Sequence, residues 1–382
     1  MSFISGPIWP DNDSSLLMVI ITTIAATVGV LSLMRRYLWP THPSIMPNPL
    51  VTLIPHLSNK QLNALDYKPD YFPGARDVKT PYGSIRVYEW GPSTGPKVLF
   101  IHGITTSCQS LSKLAHALVD EKGCRVMLFD LFGRGFSDGV GDLPHDARLY
   151  TSQMLFALAS SPLSWTGTDT RLRLVGYSLG GGIAIHFAAA LPELVSELVL
   201  LAPSGLIRPA NFGRLISFAY TSGLVPDRLL AAVTRSKLQQ PISATALDNP
   251  ITASLTEAID PTAPPPPSLS PPPLEKTVIR HVRWMLSHHA GFVLAFMRCI
   301  RDAPLVGQEA AWRQLAARKR GTTTIILARS DKVVDPNDYA VDALTLVGGQ
   351  DHVKWVVVPG GHDFPMTYDR ETLDEIYSVW GW

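Results

Sequence analysis

The stretch that most constrains this chain is Leu174 to Gly182, L-V-G-Y-S-L-G-G-G. Arg171 to Val175 is strand-like, and Ile183 to Leu191 is apolar and alanine-rich, as a packed helix should be. Ser178 falls at the turn between them. A serine in such a strand–turn–helix unit is held in a strained backbone conformation. The residues two before and two after it must then be small for strand and helix to approach closely. Gly176 and Gly180 meet that requirement.

A serine hydroxyl is a poor nucleophile until a base takes its proton, so the turn predicts a histidine and an orienting carboxylate downstream, in the order Ser, Asp, His. After the apolar run Thr322 to Leu327 comes A-R-S-D-K-V-V-D-P, and after Val353 to Val358 comes P-G-G-H-D-F-P. Both are loops at the C-terminal ends of strands, where open α/β sheets build sites. Asp331 is the expected acid and His362 the expected base. Asp335, further into the same loop, is the alternative acid, or else a solvated turn residue. His352 precedes its strand and lies at the wrong end of the sheet, and the Asp363 side chain should diverge from the His362 ring. The oxyanion formed by serine attack needs preorganised donors. These are expected from the backbone N–H groups of Leu179 and, after His102-Gly103, of Ile104. His102 ends a strand and reads as structural.

The 382 residues can bury a full α/β domain and leave an inserted or appended unit. Lys plus Arg at 33 nearly balances Asp plus Glu at 32, which argues against a nucleic-acid partner, since phosphate binding needs a basic excess. Cys108, Cys124 and Cys299 are widely spaced and form no C-x-x-C pair, so neither a disulfide framework nor a zinc site is suggested. His281, His288 and His289 lack partner ligands at metal spacing and read as surface or packing residues. No metal and no cofactor are expected, because G-Y-S-L-G-G does not match a dinucleotide fingerprint.

Residues 14–34 carry no charge and, as a helix, are long enough to cross a hydrocarbon layer of about 30 Å. They are expected to be a transmembrane anchor behind a short tail, 1–13. Asp11 and Asp13 precede the stretch and Arg35 and Arg36 follow it, the reverse of a signal peptide's charge order. The positive-inside rule then puts the remainder in the cytoplasm, with the endoplasmic reticulum the expected membrane. Trp9 on one side and Tyr37 with Trp39 on the other would form interfacial aromatic belts. Residues 35–77 read as a proline-rich linker, with prolines at 40, 43, 47, 49 and 55. From Val78 strands alternate with helical stretches, predicting a mostly parallel, doubly wound sheet over 78–203 and 304–382. Alternation stops over 204–303, which reads as a helical cap. That cap includes a helix-like stretch from about Glu275 to Ile300 and a proline-rich loop over 261–273.

On these motifs the chain resembles the α/β-hydrolase superfamily in its capped serine-nucleophile branch. The resemblance rests on I-H-G at 101–103, D-L-F-G-R-G-F-S at 130–137, G-Y-S-L-G-G at 176–181, S-D-K-V-V-D-P at 330–336 and G-G-H at 360–362. It implies an eight-stranded, mostly parallel sheet with a lid, and carries nucleophile, acid and base onto Ser178, Asp331 and His362. Asp130 and Ser137 match a segment that is usually structural in the family. Phe132 stands where arginine is commoner, which should alter local packing. Serine at the turn argues against epoxide hydrolases and haloalkane dehalogenases, which place aspartate there.

The function expected is hydrolysis of an ester or thioester of a lipophilic substrate through an acyl-enzyme. The anchor motivates the lipophilic substrate, as do the apolar cap residues Phe212, Leu215, Ile216, Leu224, Trp284, Met285, Phe292 and Phe296, which could equally be core. One alternative is a tailoring enzyme of a secondary-metabolite, polyketide-type pathway, assisting cyclisation or product release. Another is a noncatalytic ligand-binding protein on the same fold.

Overall fold

The computed structural model describes residues 12–167, 171–208, 214–239 and 272–382. Residues 1–11 of the expected tail, Phe212 and residues 261–271 of the expected proline-rich loop lie outside the described residues.

Eight strands form one sheet: β1 (Arg76–Thr80), β2 (Gly83–Trp90), β3 (Lys97–Ile101), β4 (Arg125–Phe129), β5 (Leu172–Tyr177), β6 (Val195–Leu201), β7 (Thr323–Ala328) and β8 (Lys354–Val358). Their order is β8-β7-β6-β5-β3-β4-β2-β1. The pairs β1–β2 and β2–β4 are antiparallel and the rest parallel. The expected sheet is thus present. Central strands covered on both faces read as near-continuous apolar runs. Val98 to Ile101 and Val199 to Leu201 are accordingly buried at every position.

Helix α1 (Asn12–Leu38) is followed by α2 (Ser112–Lys122), α3 (Ala147–Ala159) and α4 (Leu179–Ala190). Helix α3 packs on α4, and α2 packs on the C-terminal helix Asp369–Trp380. Within α1, Ser15–Leu38 has a mean hydropathy of 2.4 and is exposed to solvent, the form of a membrane anchor or of a signal sequence.

The insertion between β6 and β7 contributes α5 (Arg214–Thr221), α6 (Asp227–Gln239), α7 (Leu274–His288) and α8 (Phe292–Asp302). The single helix-like stretch expected over Glu275 to Ile300 is two helices. The break falls at His289–Gly291, and there the backbone passes close to Gly139: a Cβ on Gly291 would lie 2.7 Å from the Gly139 Cα. Of the apolar insertion residues singled out above, Met285, Phe292 and Phe296 are buried in the core, Trp284 is half-buried, and Leu215 and Leu224 face solvent.

The stretch expected as a linker lies on the domain. Asn48 donates from its backbone N and its Nδ2 to Asp138 Oδ1, at 2.8 and 2.6 Å, and its own Oδ1 caps the short helix Pro49–Thr52 through the Leu50 N–H. Tyr67 and Phe72 are buried in the main core, and β1 begins at Arg76. Proline limited this stretch to short elements, such as the helices Pro49–Thr52 and Asn59–Asn63, without keeping it off the core.

Candidate active site

Strand β5 ends at Tyr177 and α4 begins at Leu179, leaving Ser178 alone at the turn with φ 54° and ψ −119°. For a residue with a Cβ such a backbone costs about 1–3 kcal/mol and persists only where its surroundings hold it. Backbone hydrogen bonds do so. Ser178 N donates to Leu201 O at 2.9 Å, and Ser178 O accepts from Gly181 N at 2.9 Å and Ser204 N at 3.0 Å. The flanking glycines are sterically required. A Cβ on Gly176 would lie 2.4 Å from Gly180 O, and one on Gly180 would lie 2.2 Å from Ile101 O.

Asp331 follows β7 and His362 follows β8, both at the same end of the sheet as Ser178. The structure brings the three together. His362 Nε2 is 2.9 Å from Ser178 Oγ, and His362 Nδ1 is 2.8 Å from Asp331 Oδ2. Asp331 Oδ1 accepts the N–H groups of Val333 and Val334 at 2.8 and 2.9 Å, which fixes the carboxylate's orientation. All three side chains are buried. Asp335 instead caps the helix Pro336–Ala343 by accepting from Asn337 N at 2.8 Å and Asp338 N at 3.2 Å, and His352 precedes β8.

The loop after β3 lies against the serine, since a Cβ on Gly103 would meet the Ser178 Cβ at 3.4 Å. Among the described residues, neither the Ile104 nor the Leu179 N–H has a protein acceptor. His102 ties this loop to the next one. Leu131 N donates to its Nε2 at 2.9 Å, and its Nδ1 sits 2.8 Å from Gly103 O. Burial pushes its pKa down to about 3, so the ring is neutral and accepts through Nε2. In the insertion, His289 Nε2 bonds Ser137 O at 2.9 Å, while His281 packs on Trp284 with ring centroids 5.3 Å apart.

Asp130 is buried and accepts from Cys108 N, Phe136 N and the Tyr67 hydroxyl, and Ser137 Oγ donates to Asp130 O. Burial raises the Asp130 pKa. Two supports of the site went unread in the sequence. The Tyr177 hydroxyl donates to His362 O at 2.8 Å, tying the residue before the serine to the histidine loop. Arg134, fully buried, donates from Nε to Ile104 O at 2.9 Å and from Nη1 to Phe132 O at 2.8 Å. The Tyr177–His362 and Arg134–Ile104 bonds join residues far apart in the chain, and no local pattern marks them.

Residues 96–367 match the alpha/beta hydrolase fold family, and the chain belongs to that family. It is 31% identical over 153 residues to Lipase LipV of Mycobacterium tuberculosis, and 29% identical over 166 residues to Monoglyceride lipase of Mus musculus. These alignments cover 40% and 42% of this chain, and the chain spans about half the length of each relative, 53% in both cases. Among solved structures, a membrane phospholipase A described as a bacterial virulence factor superposes with a TM-score of 0.56 at 17% identity, covering 96% of this chain and 98% of that one. That likeness extends the agreement in fold. The chain is thus a hydrolase-fold protein with lipases among its relatives.

Proposed function

We propose that the chain is a serine hydrolase that cleaves an ester or thioester of a lipophilic substrate, with Ser178 as nucleophile, His362 as general base and Asp331 as its orienting acid. One observation carries this reading: a strained serine, a histidine and a carboxylate form one buried hydrogen-bonded line. His362 Nε2 takes the proton as Ser178 Oγ attacks the carbonyl carbon, and Asp331 holds the opposite N–H and stabilises the imidazolium. The Leu179 and Ile104 N–H groups receive the charge that develops on the carbonyl oxygen. His362 then returns the proton to the departing alcohol or thiol, and water releases the acyl group by the same route in reverse.

The lipophilic substrate is supported by the lipases among the relatives and by the apolar α1. In this reading residues 14–34 anchor the protein, with the catalytic domain on the cytoplasmic face of the endoplasmic reticulum membrane. The test is turnover of a series of p-nitrophenyl esters of increasing acyl length by the full chain in detergent, beside Ser178→Ala. Long-chain turnover abolished by the substitution supports the proposal. Faster turnover of short, water-soluble esters overturns its lipophilic part. With an ω-hydroxyacyl ester, release as the lactone rather than the free acid would mark the tailoring alternative, and ligand binding without chemistry the noncatalytic one.

A further inference from the structure

Among the described residues of the insertion, the exposed large apolar side chains lie on α5, on α6 and in the turn between them. Leu215 is 86% exposed, Phe218 55%, Leu224 69%, Leu229 55% and Val233 43%. They are not scattered. On α6, Leu230, Thr234 and Leu238 point inward while Leu229, Ala232, Val233 and Ser236 point outward, so the helix presents two apolar stripes where a surface helix presents one. On α5, Leu215 and Phe218 also face solvent, and Leu224 lies in the turn between the two helices.

That face adjoins the end of α1. The Trp39 indole Nε1 donates to Gly223 O at 3.2 Å, next to Leu224, and the Arg228 guanidinium lies 4.2 Å from the Tyr37 ring centroid. If α1 crosses a bilayer, Tyr37 and Trp39 lie at headgroup level, and the turn they touch lies there too. The surrounding charge suits such a position. Arg35, Arg36, Arg228 and Arg235 border the face, whereas the nearby Asp227 is paired with Arg301 at 2.7 Å. An open cleft of about 750 Å³ between α1 and the turn is lined by Ser32, Arg35, Arg36, Trp39, Thr41 and Gly223, where a lipid phosphate would meet two guanidinium groups. An apolar face rimmed by cations is the pattern of a helix lying in the interface of an anionic leaflet.

We propose that the outer face of α5 and α6 docks into the bilayer that α1 enters, so that this part of the insertion rests in the lipid interface. This inference rests on the anchor reading of α1. It also gives a lipophilic substrate a path from the leaflet to the insertion without crossing water.

The test uses the full chain in nanodiscs of phosphatidylcholine with a minor share of phosphatidylserine. The native cysteines are all buried, so a single introduced cysteine takes the fluorophore selectively. Phe218→Cys, Leu229→Cys and Val233→Cys report the face, and Val28→Cys reports α1. Asp351→Cys, at the opposite end of the strands, is the control. Spin-labelled lipid should quench the three face positions and Val28, leave position 351 bright, and iodide should quench only position 351. Quenching by lipid at Val28 but not on the face overturns this inference and leaves the anchor intact. A face shielded from both quenchers also overturns it, because another copy of the chain then covers the patch. No lipid quenching at Val28 overturns the anchor reading, and this inference with it.

Discussion

Arg134 reaches the Ile104 carbonyl from a fully buried position: its Nε–H lies 2.9 Å from that oxygen, and no carboxylate is among its described hydrogen-bond partners. Its remaining donors go to Phe132 O, the Tyr150 hydroxyl and Cys299 Sγ. A charge buried this way is held by neutral acceptors matched to a planar fork, which lysine cannot reproduce. Arg134→Lys should therefore leave buried acceptors unpaired and cost about 2–4 kcal/mol of stability. Chemical denaturation in detergent checks it. Unchanged stability would contradict the role given to Arg134 in holding the peptide of Ile104.

Asp138 joins the segment after α1 to the sheet. Its Oδ1 accepts two bonds from Asn48, and its Oδ2 accepts the Ser84 N–H at 2.7 Å. Asp138→Ala strands those donors and should destabilise the fold by about 3 kcal/mol. The loss should be accompanied by faster amide exchange over residues 45–52. Exchange there at the wild-type rate would contradict the strap.

Stability should fall with acidification well before the carboxylates titrate. His102, His145 and His281 are held by burial to pKa values of about 3, and His289 to about 4. Below the unfolded value of about 6.5 the unfolded chain takes up protons that the folded chain refuses. This contribution is fully present above pH 6.5 and is lost as pH falls toward the folded values, each group costing about 1.4 kcal/mol per pH unit. Four such groups remove several kcal/mol between about pH 6.5 and 5. Urea titrations across that range should show the slope, and His281→Phe should lessen it, since that ring packs on Trp284 and its Nε2 has no hydrogen-bond partner among the described residues. A flat profile would contradict neutral burial.

The sheet was legible because buried parallel strands are apolar runs bounded by turn residues. The strands read at Thr322 to Leu327 and Val353 to Val358 differ by one residue or so from Thr323–Ala328 and Lys354–Val358. That Ser178, Asp331 and His362 would be brought together was legible for a related reason: each follows a strand end, and chain order ranks the candidates. Arg134 was not, because its partners sit on three separate segments and a surface arginine has the same sequence signature. The packing of residues 35–77 was not, because proline content reports what the backbone cannot form and says nothing of what it lies against. The close approach at the break before Phe292 was hidden too, since Gly139 lies far away from Gly291 in the chain.

The central claim is that Ser178 is activated through His362 and Asp331, and intact-protein mass spectrometry after fluorophosphonate treatment tests it most directly. Wild type should form a single adduct that maps to Ser178. The adduct should be absent in Ser178→Ala and slower by about a thousandfold or more in His362→Ala and Asp331→Asn. An adduct forming at the wild-type rate in His362→Ala, or mapping to a residue other than Ser178, would contradict it.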